Sequence, residues 1–179
     1  PHYDSHVGRM SGMLLGLFEN GGVYNHCNAF KIMADCRLGR AEQALSTLHK
    51  MIPDSKDNPV SITGAEPYLF VNCWCMHPSF FTRIWFGWFT GTSAWALRGF
   101  YEGICGLRRE YGGLRVQPCI PGAWKELTLT RTFRGCRYHI HISNTGSGKP
   151  EVTVDGNRLA DTLLPVLNDG QIHEVVVRT

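Results

Sequence analysis

Apolar residues recur at the spacing of an α-helix through the first third of the chain. From Arg40 to Ile52 they fall at positions i, i+3, i+4, i+7 and i+11, which places them on one face of a helix that Pro53 ends. An earlier segment from about Val23 is also helical in pattern, and Gly39 is expected as its C-cap. Together the two segments predict an αα-hairpin.

A third helix is predicted from about Thr92 to Leu107, and this segment is apolar on most sides. A helix with so little polar surface is normally buried among other helices. Its first turn contains Thr92 and Ser93, either of which can serve as the N-cap. We therefore expect this helix to have neighbours on nearly every side.

Apolar and polar residues alternate with a period of about two after residue 112. The alternation covers residues 127–133, 137–142 and 152–154, and a last strand is predicted at 172–177. Asp155 and Gly156 supply the two-residue turn that a β-hairpin favours. The chain is therefore predicted to have an α+β fold, with a helical domain at residues 1–111 and a small antiparallel β-sandwich at residues 112–179.

The composition is that of a globular protein. Hydrophobic residues make up 43% of the 179 residues, charged residues 18% and aromatic residues 11%, which excludes a disordered chain. No apolar run approaches the roughly 20 residues that a membrane-spanning helix needs, so we expect no membrane association. The formal net charge is +3 without a polybasic tract, so we expect no nucleic-acid partner either.

Seven cysteines form an odd set, which fits reduced thiols in a cytoplasmic protein better than a disulfide framework. Three of them lie in apolar stretches and are expected to be buried: Cys27, Cys36 and Cys105. Cys73, Cys75 and His77 alternate and could ligate a metal, but their spacing is not a usual zinc pattern and no fourth ligand is evident. We expect neither a metal nor an organic cofactor.

The most informative stretch is WFGWFTGTSAW at residues 85–95. Gly91 would let the backbone approach a ligand closely, and the hydroxyls of Thr90 and Thr92 are donors suited to phosphate oxygens. Free N–H groups at the start of the following helix would make this turn an anion site. The alternative is a capped, buried helix with aromatic packing. Aromatic rings such as the indole of Trp88 also suit sugars, whose apolar faces stack on them.

A second polar cluster, ENGGVYNH, lies at residues 19–26. Its two glycines form a turn, and a helix is predicted to begin near Tyr24, so that polar side chains project together from the helix end, where function often lies. His26 could donate a hydrogen bond to an anion, and Glu19 could accept hydrogen bonds from sugar hydroxyls. The alternative makes Glu19 and Asn20 capping residues and His26 a core histidine.

These strings belong to an ordered series. ENGGVYNH at 19–26 is followed by EPY at 66–68, WFTGTSAW at 88–95, YGGLR at 111–115 and PCIP at 118–121, and then by Trp124 and FRG at 133–135. The series resembles the C-terminal part of glycoside hydrolase family 94, the inverting phosphorylases of cellobiose, chitobiose, cellodextrins and related sugars. The resemblance extends from about Val7 to Asn144.

The resemblance implies a larger parent with an N-terminal β-sandwich, a linker, an (α/α)6 barrel and a C-terminal β-domain. Residues 1–111 would be the last barrel helices and residues 112–179 the β-domain. Such enzymes cleave a β-linked disaccharide or oligosaccharide with inorganic phosphate and release an α-sugar 1-phosphate. An Asp general acid protonates the leaving oxygen while phosphate attacks from the opposite face, where an inverting hydrolase holds its water. A homodimer of the full-length protein is a further expectation.

The resemblance also implies roles for individual residues. Family members hold phosphate with a His and with the Thr-Gly of the tryptophan-flanked motif, and those positions match His26, Thr90 and Gly91. Glu19 and Glu66 match acidic residues near the sugar sites. The family's general-acid Asp lies upstream, in a Trp-Asn-Asp-rich string that this sequence does not contain, and a phosphate-binding Arg is missing with it. We therefore expect the 179 residues alone to be inactive.

Two functions from other classes stay open at this point. A non-catalytic carbohydrate-binding module would bind glycans through the aromatic loops and the β-domain. Phosphate dependence of sugar binding would distinguish a phosphorylase from such a module. A helical interaction protein is supported by the αα-hairpin alone, and sugar and phosphate would then have no effect on it.

Overall fold

The computed structural model describes residues 2–53, 55–88 and 90–179. Three residues lie outside the described ranges: Pro1, Asp54 of the loop after the second predicted helix, and Phe89 of the aromatic stretch. Helices and mainly antiparallel sheets are combined in the chain, which confirms the predicted α+β class.

Two compact units make up the chain. The first contains the described residues up to Ala34 together with Gln43–Gly99, and the second contains Asp35–Glu42 together with Phe100–Thr179. Among the residues that the structure describes, no helix has both the length and the hydropathy needed to cross a lipid bilayer.

The predicted αα-hairpin is present as α1, Asn25–Arg37, and α2, Ala41–Met51. Lys31 Nζ donates a hydrogen bond of 2.9 Å to Thr47 Oγ1 across the pair. Gly39 follows α1 with a φ of 70°, the left-handed conformation that a glycine supplies at a helix C-terminus. The predicted apolar face of α2 is confirmed, since its buried residues are Ala44, Leu48 and Met51.

A three-stranded antiparallel sheet supports the start of α1, and the sequence pattern did not predict it. Its strands, in spatial order, are β1, Val23–Tyr24, β2, Cys73–Trp74, and β3, Ile84–Trp85. Because Tyr24 pairs with Cys73, the first helix begins at Asn25 and not at Val23. Strands of two residues are too short for a periodicity to identify them. A single helical turn, α3 at Val60–Thr63, precedes β2.

The third predicted helix ends earlier than expected. It consists of α4, Thr92–Arg98, and a π-helical turn, Gly99–Ile104. Leu107 begins a strand instead, because Gly106 adopts a left-handed φ of 72° and a Cβ there would lie 2.0 Å from the carbonyl oxygen of Gln117. Leu97 is 58% exposed, so the described residues do not supply all the neighbours that are expected around this helix.

The second unit contains two sheets. The three-stranded sheet has the order β10-β5-β4, formed by β4, Leu107–Glu110, β5, Gly113–Val116, and β10, Leu163–Leu164. The five-stranded sheet has the order β6-β7-β11-β8-β9, formed by β6, Glu126–Phe133, β7, Cys136–Ser143, β8, Glu151–Val154, β9, Asn157–Arg158, and β11, Ile172–Arg178. The hairpin of β4 and β5 was not predicted, because the third helix was predicted to extend to Leu107.

The period-two pattern correctly identified the long strands of the second unit. Tyr138, Ile140 and Ile142 of β7 are fully buried, as their alternation predicted. Asp155 and Gly156 form the predicted turn, with φ values of 49° and 81°. The expectation of a wholly antiparallel domain is wrong in one pairing, because β11 runs parallel to β7 along its full length. Register between parallel strands is set by tertiary packing and not by a local turn.

Candidate functional site

Gly91 and His26, two of the predicted phosphate-binding residues, are in contact. Gly91 is the N-cap of α4, and a Cβ built on it would lie 2.8 Å from His26 Nε2. The His26 ring stacks on Tyr24, with ring centres 5.1 Å apart and an interplanar angle of 25°. His26 Nδ1 is buried and accepts or donates no hydrogen bond within the described part of the chain. The imidazole therefore stacks on Tyr24, and it can occupy this position because Gly91 has no side chain.

Thr90, the third of these residues, organises the turn before α4. Its Oγ1 accepts a hydrogen bond of 3.0 Å from the Thr92 backbone N–H and lies 2.7 Å from Thr92 Oγ1. Asn72 Nδ2 donates a longer bond of 3.5 Å to the same oxygen. Thr92 and Ser93 are not the N-cap, contrary to expectation, since the cap is Gly91 and makes no side-chain bond. The Thr90 hydroxyl satisfies a helix-start N–H in its place.

Two asparagines, the buried Asn25 and the half-buried Asn72, connect the start of α1 to the segment before β2. The Asn25 backbone N–H donates to the Asn72 carbonyl at 2.9 Å, and Asn25 Nδ2 donates to the Val71 carbonyl at 3.0 Å. Asn72 in turn donates its backbone N–H to the Phe86 carbonyl at 2.9 Å. Sequence reasoning missed Asn25 and Asn72 as positioning residues. A signal was present for Asn25, a polar residue next to His26 at a predicted helix start.

Glu66 and Trp88, two of the predicted sugar-binding residues, are also in contact. Trp88 Nε1 donates a hydrogen bond of 2.9 Å to Glu66 Oε1, while the Trp88 side chain remains 67% exposed. The Tyr68 ring lies near the indole, with centres 6.1 Å apart. A Cβ on Gly87 would lie 2.9 Å from Glu66 Oε2, so a larger residue there would displace the carboxylate. The result is an exposed aromatic surface with a fixed carboxylate at its edge, a combination that suits a hydroxyl-rich ring.

Glu19 lies apart from these two pairs. Its carboxylate accepts a hydrogen bond of 3.0 Å from Arg9, and both side chains are exposed. In the described part of the chain, no hydrogen bond or ion pair joins Glu19 to the other five predicted site residues. The structure therefore brings together His26 with Gly91 and Glu66 with Trp88, whereas the partner of Glu19 is Arg9.

The alternating Cys73, Cys75 and His77 have ordinary structural surroundings. Burial raises the pKa of the Cys73 thiol to about 11, with a further contribution from Cys75, and burial also raises the pKa of Cys75. His77 Nδ1 accepts a hydrogen bond of 3.2 Å from the Ser79 backbone. Among the described residues, no group of three His, Cys, Asp or Glu side chains could hold a metal ion. The expectation of a buried Cys27 is wrong, since that thiol is exposed on α1.

Comparisons with known proteins connect this geometry to a chemistry. The model of the glycosyl hydrolase 94 superfamily catalytic domain matches residues 1–106, and the model of the glycosyl hydrolase family 65 C-terminal domain matches residues 107–149. The chain is similar to solabiose phosphorylase of Paenibacillus borealis, with 37% identity over 98% of the chain and 23% of that protein.

Two other relatives are also named as phosphorylases. The chain is 31% identical to N,N'-diacetylchitobiose phosphorylase of Vibrio furnissii, over 84% of the chain and 19% of that protein. It is 33% identical to cellobionic acid phosphorylase of Neurospora crassa, over 96% of the chain and 22% of that protein. The chain thus spans about a fifth to a quarter of the length of these curated relatives. These matches do not favour a non-catalytic carbohydrate-binding module.

Proposed function

The chain belongs to the glycosyl hydrolase 94 superfamily, and on this premise we propose that it supplies the phosphate-holding side of the active site of a disaccharide phosphorylase. The contact between Gly91 and His26 is the observation that carries the proposal, because it joins two distant parts of the sequence at one anion-compatible turn. The names of the phosphorylase relatives, which act on disaccharides or related glycosides, support the reaction class.

The proposed reaction is phosphorolysis of a β-linked disaccharide or oligosaccharide with inversion. A phosphate oxygen attacks the anomeric carbon from the face opposite the leaving oxygen, the glycosidic C–O bond breaks, and an acid protonates the departing oxygen. The products are an α-sugar 1-phosphate and a shortened sugar. The general-acid Asp of the family is not among these 179 residues, so we expect the chain alone to be inactive.

His26, Thr90 and Gly91 have the chemistry to hold the phosphate. An imidazole N–H and a hydroxyl are hydrogen-bond donors, and bonds to a charged oxygen are stronger than bonds between neutral groups. Gly91 keeps the space beside His26 Nε2 free of a side chain. Inorganic phosphate is the co-substrate in this proposal, and no organic cofactor is needed.

Trp88, Glu66 and Glu19 are the proposed sugar contacts. The exposed Trp88 indole offers a flat apolar surface, and Glu66 holds it through one carboxylate oxygen. A carboxylate has about four acceptor positions, so Glu66 can hold the indole and still accept a sugar hydroxyl. Glu19 can likewise accept a sugar hydroxyl beside its exposed ion pair with Arg9, and giving up that pair would cost little because exposed pairs are weak.

The larger architecture belongs to the same proposal. Residues 1–111 would contribute the last helices of an (α/α)6 barrel, and residues 112–179 would form a C-terminal β-sandwich domain. We expect a cytoplasmic enzyme, dimeric in its full-length form. The helical face that includes the exposed Leu97 would then pack on other helices of the barrel.

A chimera tests the function. The segment of the Paenibacillus borealis solabiose phosphorylase that aligns with this chain is replaced by residues 1–179, and sugar 1-phosphate release from solabiose is measured with and without phosphate. We expect phosphate-dependent cleavage by the chimera and none by the isolated chain. A folded chimera that binds the disaccharide but leaves it intact at every phosphate concentration would contradict the proposal.

Phosphate binding by the isolated chain provides a second test that does not require the chimera to fold. Titration with inorganic phosphate is followed through the imidazole resonances of His26 in NMR spectra, with His49 as an exposed reference. We expect saturable shifts at His26 and unchanged resonances at His49. Sugar binding that is indifferent to phosphate would support the carbohydrate-binding module instead.

A further inference from the structure

A cleft of the second unit lies where the turn between β4 and β5 meets the turn between β6 and β7. Its volume is about 610 Å³, and its lining includes Arg109, Arg131 and Arg134 together with the rings of Tyr111 and Phe133. This volume is typical of small-molecule sites, which combine apolar rings with a few polar groups. The two turns belong to the YGGLR and FRG motifs, which the proposed function does not use.

Arg131 occupies an unusual position in β6. It continues the alternation of Leu127, Leu129 and Phe133, so an arginine lies on the more buried side of the strand. Its Nε is buried and has no hydrogen-bond partner in the described part of the chain. A buried donor without a partner costs free energy, and such groups are rare in native proteins. Because Arg131 lines the cleft, an anion bound there could accept the missing hydrogen bond.

Arg134 is held in place by two contacts. Its Nη1 donates a hydrogen bond of 2.7 Å to the Tyr111 carbonyl, and its guanidinium carbon lies 5.1 Å from the centre of the Phe133 ring. The bond to Tyr111 uses one of the five N–H donors of a guanidinium, so the others remain for a ligand. Arg134 is therefore a fixed positive charge in the lining of the cleft.

The cleft is positively charged. Glu110 is the one acidic residue in its described lining, and Glu110 Oε1 already accepts a hydrogen bond of 2.6 Å from Arg115. Within the described ranges, no carboxylate forms an ion pair with Arg109, Arg131 or Arg134. A phosphate monoester carries a charge of about −1.5 to −2 near pH 7 and has three acceptor oxygens. It therefore matches several guanidinium groups better than a singly charged carboxylate does.

We propose that this cleft binds a phosphorylated sugar. Arg131 and Arg134 hold the phosphate through charge-assisted hydrogen bonds, and the exposed Arg109 adds a third positive charge. Tyr111 is 97% exposed, so its ring offers a flat surface to the apolar face of the sugar. The inference does not depend on the proposed phosphorolysis, because the cleft residues all belong to the second unit and the proposed phosphate and sugar residues to the first.

An NMR titration of the chain tests the location and the ligand. α-Glucose 1-phosphate is the probe, and glucose and inorganic phosphate are the comparison ligands. We expect saturable shifts of the backbone amide resonances of Tyr111 and Gly135 with glucose 1-phosphate, a weaker Kd with inorganic phosphate, and no shifts with glucose. Shifts confined to His26 and Gly91, or an equal Kd for the two phosphates at Tyr111 and Gly135, would overturn the proposal.

Arg131→Met tests the buried arginine while largely filling its position. The Kd for glucose 1-phosphate should rise by about 10- to 150-fold, the usual effect of losing a hydrogen bond to a charged group. The thermal midpoint of the ligand-free variant should not fall, because the substitution removes an unpaired buried donor. A folded Arg131→Met variant that binds glucose 1-phosphate as tightly as wild type would contradict the proposal.

Arg134→Gln provides a second variant at an exposed position, where folding does not depend on filling a core space. It should also weaken the binding of glucose 1-phosphate. Arg108→Gln is the matched control, because Arg108 lies on β4 outside the cleft lining and donates a hydrogen bond of 2.8 Å to Gln117. We expect the control to keep the wild-type Kd. An equal loss of affinity in Arg134→Gln and Arg108→Gln would show that only the overall charge matters and would overturn the site.

Discussion

Gly91 lies so close to His26 that a methyl group in place of its hydrogen would sit 2.8 Å from the imidazole Nε2. The φ of Gly91 is −82°, so any residue tolerates its backbone, and the requirement for glycine is steric. This relationship joins the residue after Thr90 to the first turn of α1, and it makes the side-chain-free space at residue 91 part of the proposed anion site.

Gly91→Ala should therefore displace the His26 ring. We expect a loss of about 1–3 kcal/mol in the free energy of unfolding, the usual cost of overpacking, and a weaker apparent affinity for phosphate. Urea denaturation of the chain and initial rates of the chimera against phosphate measure the two effects. Gly12→Ala is the control, since its nearest neighbour would be 3.7 Å away, at ordinary contact distance. Equal phosphate constants for Gly91→Ala and wild type would show that the contact has no part in binding.

Thr90→Val should remove a hydroxyl that has two roles. A hydrogen bond to a charged group is worth about 1.5–3 kcal/mol, so phosphate affinity should fall by about 10- to 150-fold. Because Thr90 Oγ1 also accepts the Thr92 N–H, we expect the chain to lose about 1 kcal/mol of stability as well.

Thr90→Ser separates the effect of losing the hydroxyl from the effect of changing the size of the side chain. Serine keeps the hydroxyl and should retain most of the phosphate affinity and the turn. Rates of the chimera at saturating disaccharide, measured against phosphate, give the apparent constant for each variant. If Thr90→Val and Thr90→Ser bind phosphate as tightly as wild type, Thr90 serves the helix start alone.

Elements with a long periodic segment could be predicted from the sequence, and elements without one could not. The apolar spacing in α2 extends over 11 residues, and the alternation in β6 and β7 extends over 8 residues each. These elements were predicted correctly. The two-residue strands β1 to β3 contain no period to detect, although they place Tyr24 beside His26. Long-range pairing fixes such strands, and a local pattern cannot report it.

The candidate site shows the same division. Helix-start chemistry identified Thr90 and Gly91 as an anion-compatible turn and His26 as a possible anion donor, and the family resemblance joined the three in one phosphate site. Asn25 donates to the Val71 carbonyl 46 positions away, and Asn72 donates to the Thr90 hydroxyl 18 positions away. No local motif encodes either bond. Gly106 illustrates the converse error, since its left-handed φ of 72° interrupts a helical pattern that the sequence continues to Leu107.

Trp88→Ala should weaken sugar binding and leave phosphate binding intact. Removing the exposed indole takes away the apolar surface and the Nε1 bond to Glu66. We expect the KM for the disaccharide in the chimera to rise about tenfold, equivalent to about 1.4 kcal/mol, with little change in the phosphate constant. Trp88→Phe, which keeps a flat ring but lacks the N–H, should fall between wild type and Trp88→Ala. Equal disaccharide constants in all three proteins would remove Trp88 from the sugar site.

His173 of β11 gives the second unit a defined pH dependence. Its Nδ1 lies 2.7 Å from Asp155 Oδ2 and its Nε2 lies 3.1 Å from Asp169 Oδ2, so both ring nitrogens face carboxylates. The hydrogen bond to Asp155, and then the one to Asp169, raise the pKa of His173. The bond from His173 lowers the pKa of Asp155, and the Gln171 backbone N–H followed by His173 lowers the pKa of Asp169.

These directions set the sign of the effect. The protonated imidazole stabilises the fold fully below the unfolded histidine pKa of about 6.5, and this contribution is lost as the pH rises through the higher folded value. The two carboxylates contribute above the unfolded value of about 3.9, and their contribution is lost as the pH falls through their lowered folded values.

The urea midpoint of wild type should therefore be greatest between these two windows and decline above about pH 6.5. His173→Gln should abolish the alkaline decline, because a glutamine amide does not titrate. His49→Gln, on the exposed side of α2, is the control and should keep it. An alkaline decline of equal size in His173→Gln and wild type would show that another group is responsible.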